Sequence, residues 1–378
     1  MLIGQLLIEN SATALAAVLQ DWHARWPKLG VLLLLPETEK DSVPVLQEIF
    51  RQRNIPMLGA IFPALLTEQG FSNQGIWLLG FAEMPAHFLL AGLNDGDSSR
   101  MNQAASQLLD LNAADNPSPA LFLIFDGMLP NIASLLNLLH AEIGDRANCI
   151  GVNAGSETFQ PMPCLFDHER VIGEGLLGLL LPETRGMAVE HGYPVAKSLM
   201  NATSTVGNRI DTIDHRPAFE VYQEVILAEY GITLTHDNFY EHAVHFPFGL
   251  ITMLDVLVRI PVGVTEDGAL FCVGEVPPNT RLKLLRAPEL EKSDCIGNIC
   301  RGLDQPAGSL RDHPLLTFYC AGRRMHFGER AREELAQLQS TSQSSCLFGA
   351  LTLGEIDSIE ELNLTPRFHN AAVVCLKF

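Results

Sequence analysis

The chain has 378 residues, 47% of them hydrophobic and 18% charged, with a net charge of −19; such a length exceeds one core and predicts two folded domains rather than a disordered chain. The acidic balance excludes a phosphate-binding surface, and with it nucleic acid. The longest apolar runs, such as Gly30–Leu35 and Gly175–Leu181, fall well short of the roughly 18 residues of a membrane-spanning helix.

In chain order, Leu2–Ile8 reads as a strand and Ala12–Trp26 as a helix, with Leu15, Val18, Leu19 and Trp22 on one face. The amino terminus has an early Glu9 and no basic region before its apolar residues, so it does not resemble a signal peptide and predicts a cytoplasmic protein. Gly30–Leu35 is too short for a core helix and reads as a buried strand ended by Pro36. A helix over Ser42–Arg53 leads into a β-rich unit, Ile55–Ala82. Strand Phe88–Leu93, helix Arg100–Leu111, the polar linker NAADNPSP, strand Ala120–Phe125 and helix Asn131–Gly144 then lead into a second unit of the same pattern, Cys149–Pro182. A third copy spans Cys346–Phe378, with Gly354-Glu355 placed against Gly155-Ser156. Imperfect copies of one pattern predict an internally duplicated architecture.

Between the second and third copies, Met187–Val195 reads as a strand. Arg209–Ile213 is extended, and a helix opens at Pro217 and stops at Gly231, with Phe219, Tyr222, Val225 and Ile226 on its apolar face. Leu254–Ile260 alternates, Glu266-Asp267-Gly268 turns into Ala269–Val273, and Thr280–Arg286 is a further strand. Glu289–Leu303 reads as a helix, Leu315–Cys320 as a buried strand, Arg323 as part of a Gly-rich turn, and Arg330–Leu338 as a helix. The fold expected is α/β (α+β): two duplicated domains, 1–200 and 201–378, of mixed sheets with helices on their outer faces.

The eight cysteines sit mainly in or beside apolar strands without a C-x-x-C pair, which predicts buried free thiols. No nucleotide-binding loop and no G-x-S-x-G elbow are present, and Ser156 is a turn former, so an enzyme is not expected. Of the histidines, His242 and His245 in FYEHAVHFPFG stand near Phe239, Phe246 and Phe248, and a neutral imidazole in an apolar wall suits an axial ligand to haem. Pro247 disfavours helix at His245, so the segment is expected to be extended, with His245 as the iron ligand and His242 as the nearest alternative. Arg259 interrupts an apolar strand and needs a carboxylate, from Glu275, Glu355 or a ligand such as a haem propionate. His191 and His369 stand at strand ends beside Gly192 and Asn370, where rigid strands position a side chain next to open turns. If the turns of the second and third units face each other, Asn153, Glu355, His369 and Asn370 line a common cleft.

The set HGYP, GNRIDTIDHRPAFEVY, LVRIPVGVTEDGALFCVGEVPPNTRLKLL, TFYCAGR, FGALTLGEI and RFHNAAVV resembles the FIST sensory domain, in its amino-terminal and carboxy-terminal parts, in order. The resemblance marks Gly151, Ala154, Gly155, His191, Gly192, Asn208, Arg209, Asp214, Pro217 and Arg259. It continues through Cys320, Gly322, Arg323, Gly349, Gly354, Glu355, His369 and Asn370. Two departures stand out: GAIFPALL is apolar where the family often has a threonine-rich turn, and Tyr193 replaces the more usual Trp after His191-Gly192. The resemblance implies a bacterial small-ligand sensor without an output domain, signalling through a partner such as a histidine kinase or a cyclic di-GMP enzyme. Its NosP-type branch implies haem and nitric oxide; a sensor of an amino acid or other small metabolite without haem stays open beside it, as does homo-oligomerisation.

Overall fold

A computed structural model describes residues 1–94, 98–112, 119–181, 186–194, 199–252, 256–304, 310–358 and 365–377. Most of the polar linker expected at 112–119, and Pro182, Val195, Leu254 and Phe378 at the ends of expected strands, lie outside the described residues.

The mixed α/β architecture is as expected, and its internal repetition is a triplication. The first repeat runs through edge strand Leu2–Ile8, helix Ala12–Arg25, strand Gly30–Pro36, helix Val43–Arg53, strand Met57–Phe62, hairpin Leu65–Thr67/Gly70–Ser72 and return strand Ile76–Phe81. The second repeats this order with His87–Leu90, Ser99–Asn112, Ala120–Asp126, Ile132–Ile143, Asn148–Ala154, hairpin Leu165–Asp167/Val171–Ile172 and Leu176–Leu181. The third uses Gly186–Glu190, Cys295–Asp304, Leu315–Cys320, Ala331–Ser342, Leu347–Thr352, hairpin Glu355–Asp357/Arg367–His369 and Val373–Lys377. In each repeat the two helix-linked strands are parallel and the return strand is antiparallel to the first of them, as a crossover helix requires.

The hairpins change partners. The first repeat's hairpin pairs with Leu347–Thr352 of the third, the second's with Met57–Phe62 of the first, and the third's with Asn148–Ala154 of the second. Three six-stranded sheets result, each closed by a hairpin from a different repeat. Their central strands are buried on both faces, which explains the unbroken apolar runs in the sequence. Inward faces share one core, where the Phe318 ring lies 5.7 Å from both Phe62 and Phe122 and Trp77 lies 5.5 Å from Phe348.

Into the third repeat, between its edge strand and its first helix, is inserted an eight-stranded antiparallel sheet built from residues 200–284. Helix Ala218–Tyr230 covers it, with Tyr222 5.1 Å from Phe248 and its hydroxyl donating to the Phe246 carbonyl at 2.8 Å. Gly231 ends this helix in the left-handed conformation, as expected.

Three local expectations are corrected. The segment around His242 is a short helix, Phe239–Ala243, continued by a turn in which the His245 N–H reaches the His242 carbonyl at 2.9 Å; Pro247 stops helix beyond that turn but not before it. Arg323 lies in a helix, Ala321–Phe327, and the expected helix Glu289–Leu303 is split into a 3-10 turn, Leu290–Lys292, and Cys295–Asp304, with Ser293 extended between them. Among the described residues the eight cysteines form no disulfide, and all but Cys346 are buried.

Candidate ligand site at the third seam

The pairing registers make residues of the three seams equivalent. Gly59, Gly151 and Gly349 occupy one position, and facing them are Phe166, Ile356 and Leu66. One residue along each hairpin stand Leu165, Glu355 and Leu65. Glu355 thus corresponds to Leu165, not to the neighbourhood of Ser156, because the second repeat has a longer connection before its hairpin. Likewise Cys320 corresponds to Pro36 and Asp126, and His369 to Ser72 and Ile172.

The third seam therefore carries a carboxylate, a thiol and an imidazole, where the equivalent positions elsewhere are mostly apolar. Glu355 is fully buried and accepts from the Thr352 hydroxyl, from the Ala372 N–H at 3.1 Å and from the Cys320 thiol. Burial raises its pKa from 4.5 to about 7, with the Thr352 and Ala372 hydrogen bonds opposing. Burial also raises the Cys320 pKa, even though backbone N–H groups, Ala371 among them at 3.1 Å, point at the sulfur.

Around this pair, Arg323 and Glu334 form a fully buried ion pair at 2.6 Å, to which the Tyr319 hydroxyl donates. Arg323 also donates to the carbonyls of His191 and Ala371. Tyr193 is buried nearby, and burial raises its pKa, with Arg323, Cys320, Glu334 and Glu355 all acting on it. Among the described residues its hydroxyl has no hydrogen-bond partner. On the hairpin, His369 Nε2 lies 3.0 Å from Asp357, which Arg367 also binds; burial would raise the Asp357 pKa, but His369 and Arg367 hold it down to about 2. His369 Nδ1 is buried without a partner among the described residues.

The turns of the second and third repeats do meet: Asn153 N–H donates to Gly354 and Leu353 N–H to Asn153. The four residues expected to share a cleft share this seam but occupy two faces. Val152 faces the central core while Asn153, whose register partner is Phe125, faces the outer one, and both polar atoms of its amide lack partners among the described residues. Asn370 accepts from the Ile260 N–H at 3.1 Å. With Cys320, Leu353 and Phe159 it lines an apolar cavity of about 30 Å³, room for one water-sized molecule. Gly155 and Gly192 have φ of +126° and +68°, and Gly192 lies against Ser293 and Cys295. His191 bridges the Val256 carbonyl and the Tyr193 N–H, with its ring 6.2 Å from that of His369.

The expected haem residues lie elsewhere. His326 Nε2 is 3.1 Å from the Pro288 carbonyl, which can only accept, so that nitrogen carries a proton; burial lowers the His326 pKa to about 4, leaving Nδ1 as an acceptor. His245 Nδ1, at 2.7 Å, must donate to it, which leaves the lone pair on His245 Nε2. Burial, aided by His242, lowers the His245 pKa as well. A ligating imidazole is oriented in this way. Among the described residues the side chains expected to hold a porphyrin are engaged otherwise: Phe246 packs 4.6 Å from Tyr230, Phe248 sits in the core against Tyr222, and Arg259 donates through Nε and Nη1 to the carbonyls of Val258, Glu275 and Phe368. The expected carboxylate partner of Arg259 is thus replaced by main chain, and the Glu275 side chain binds Ser134 instead. The residues present fit one imidazole ligand but not the macrocycle. Among the described residues no group of three or more His, Cys, Asp or Glu is placed to hold a metal ion, and no helix is long and apolar enough to cross a membrane.

The resemblance marks Cys320 and Arg323 without a role in a site and Tyr193 only as a departure, and Thr352 and Glu334 are not singled out in the sequence. The motif TFYCAGR, which closes the buried strand, carries Cys320 and Arg323.

At the third seam the Tyr193 hydroxyl, His369 Nδ1 and the Asn153 amide are buried without partners among the described residues, and a ligand could supply them. The comparison with known families agrees: residues 30–216 match the FIST N domain and residues 218–358 the FIST C domain, and the chain belongs to the FIST family of sensory, ligand-binding domains of signal transduction. No curated protein matches the chain.

Proposed function

We propose that the third seam is the sensing site, that it widens beyond its water-sized cavity to admit a ligand, and that this ligand is a small polar metabolite, an amino acid being the simplest, whose binding is reported in the cytoplasm to a partner histidine kinase or cyclic di-GMP enzyme. The observation that carries this is the asymmetry of the three seams: the two positions equivalent to Glu355 hold Leu165 and Leu65, so the fold does not need a carboxylate there. Partnerless buried polar atoms cost about 1–3 kcal/mol each, and at Tyr193 and His369 a ligand returns that energy by supplying partners. Screening small metabolites by thermal shift tests it, because a ligand that binds only the folded state raises Tm. The shift is expected to vanish in Tyr193→Phe and His369→Ala with the fold intact. A shift surviving both substitutions, or no shift with any metabolite, overturns the proposal.

A second reading, haem with nitric oxide as the signal, is favoured by the lone pair on His245 Nε2. It requires Phe246 and Phe248 to leave their present packing. A Soret band in protein produced with haem, lost in His245→Ala and retained in His242→Ala, supports it; a colourless protein removes it.

A further inference from the structure

The outermost strand of the first sheet is Leu2–Ile8. An outermost strand presents unpaired N–H and C=O groups, and folded proteins blunt such edges by shortness, charge, proline or cover. The two equivalent edges are managed in these ways. His87–Leu90 is four residues long and its Leu89 carbonyl accepts from Arg170 at 3.4 Å, while Gly186–Glu190 is backed by helix Cys295–Asp304, with Gly302 against Ala188. In the first repeat the position of Arg170 is held by Gly70.

Leu2–Ile8 is seven residues long with a register shift between Leu2 and Gly4, so Gly4–Ile8 is its regular part; it contains no proline and exposes Leu6 and Leu7 together with Met1 before it. Beside it lies a groove of about 800 Å³ lined by Gln5, Leu6, Leu7, Phe71, Trp77 and Arg332. Residues 1–8 carry no charged side chain in a chain of net charge −19. Two copies of so acidic a protein repel over most of their surfaces, and a neutral strip with free backbone groups is where they can meet.

We propose that this edge binds a second copy of the chain by antiparallel strand pairing about a two-fold axis at Gln5, joining two six-stranded sheets into one. In that register Gln5 faces Gln5 of the second copy, Ile3 faces Leu7, and Leu2 faces Ile8, so every side chain placed opposite another is neutral.

Light scattering of the full chain should report a concentration-dependent mass of twice the 41.5 kDa protomer. Gln5→Lys and Gln5→Glu each set like charges opposite one another and are expected to weaken self-association about tenfold. Mixing the two variants should restore the dimer, which a merely structural role for Gln5 would not produce. Leu6→Lys, at a side chain 39% exposed, serves as the second variant, monomeric with unchanged circular dichroism. A wild-type chain that stays monomeric, a dimer that persists in all three variants, or no recovery on mixing overturns the proposal.

Discussion

Glu355 ties stability to pH. Its folded pKa of about 7 lies above the 4.5 of the unfolded chain, so the native state binds more protons between those values. The stabilisation is full below pH 4.5 and is lost as pH rises through 7, amounting to about 3 kcal/mol at ~1.4 kcal/mol per unit. Urea midpoints should therefore fall between pH 5 and pH 8 in the wild type, and this part of the slope should disappear in Glu355→Gln. An identical slope in both proteins would assign the titration elsewhere. The buried Arg323–Glu334 pair behaves differently. Burial favours a neutral Arg323, but the negative partners around it raise its pKa. Arg323→Met strands the Glu334 carboxylate and is expected to cost about 3–5 kcal/mol, whereas Arg323→Met combined with Glu334→Gln should recover a large part of that loss. A double variant as unstable as the single one contradicts it.

At the level of elements, Gly151 and Gly349 let their strands lie close to the parallel neighbour of the same repeat, and Gly59 makes room for the Phe166 ring of the hairpin it receives. A Cβ on Gly349, whose φ is +147°, would stand 2.0 Å from the Thr317 carbonyl oxygen, and one on Gly151 would stand 2.4 Å from that of Leu123. Neither backbone oxygen can move without breaking a parallel ladder. Gly151→Ala and Gly349→Ala are each expected to cost about 2–4 kcal/mol. Gly4, where a Cβ meets nothing within 4 Å, is the control, and chemical denaturation of Gly4→Ala should show little change. At Gly59 the obstruction is the Phe166 ring, a side chain that can turn aside, so Gly59→Ala should be the mildest of the three.

The whole molecule is interlocked by the exchange of hairpins, since no repeat completes its own sheet. Unfolding is expected to be a single transition by far-ultraviolet circular dichroism and tryptophan fluorescence, and a fragment of residues 1–181 should not fold, because its second sheet lacks Glu355–Asp357 and its first hairpin lacks Leu347–Thr352. Two separated transitions, or a folded fragment, would show the repeats to be independent. The junction of the two family domains, at residue 217, falls inside the inserted antiparallel sheet, at the start of helix Ala218–Tyr230.

Much of this architecture was legible in the residues themselves. Periodicity and length placed strands at Gly30–Leu35, Ala120–Phe125 and Leu315–Cys320, the first and last as buried, and the structure has all three buried within a residue of those bounds, since a strand covered on both faces must be apolar throughout. Three β-rich units announced repetition, and turn chemistry located the end of helix Ala218–Tyr230 at Gly231. Which hairpin joins which sheet was not legible, because the apolar pattern of a hairpin is satisfied equally by its own repeat and by a neighbour's. Nor could local spacing bring Cys320, Tyr193 and Glu355 together, or divide Asn153 from Glu355 across a sheet: contacts between distant segments follow from register, and register is fixed only when the strands pair. His245 makes the same point. The sequence supplied an imidazole among phenylalanines, but only the tertiary structure committed those rings to the core and gave the imidazole its tautomer through His326, 81 residues away.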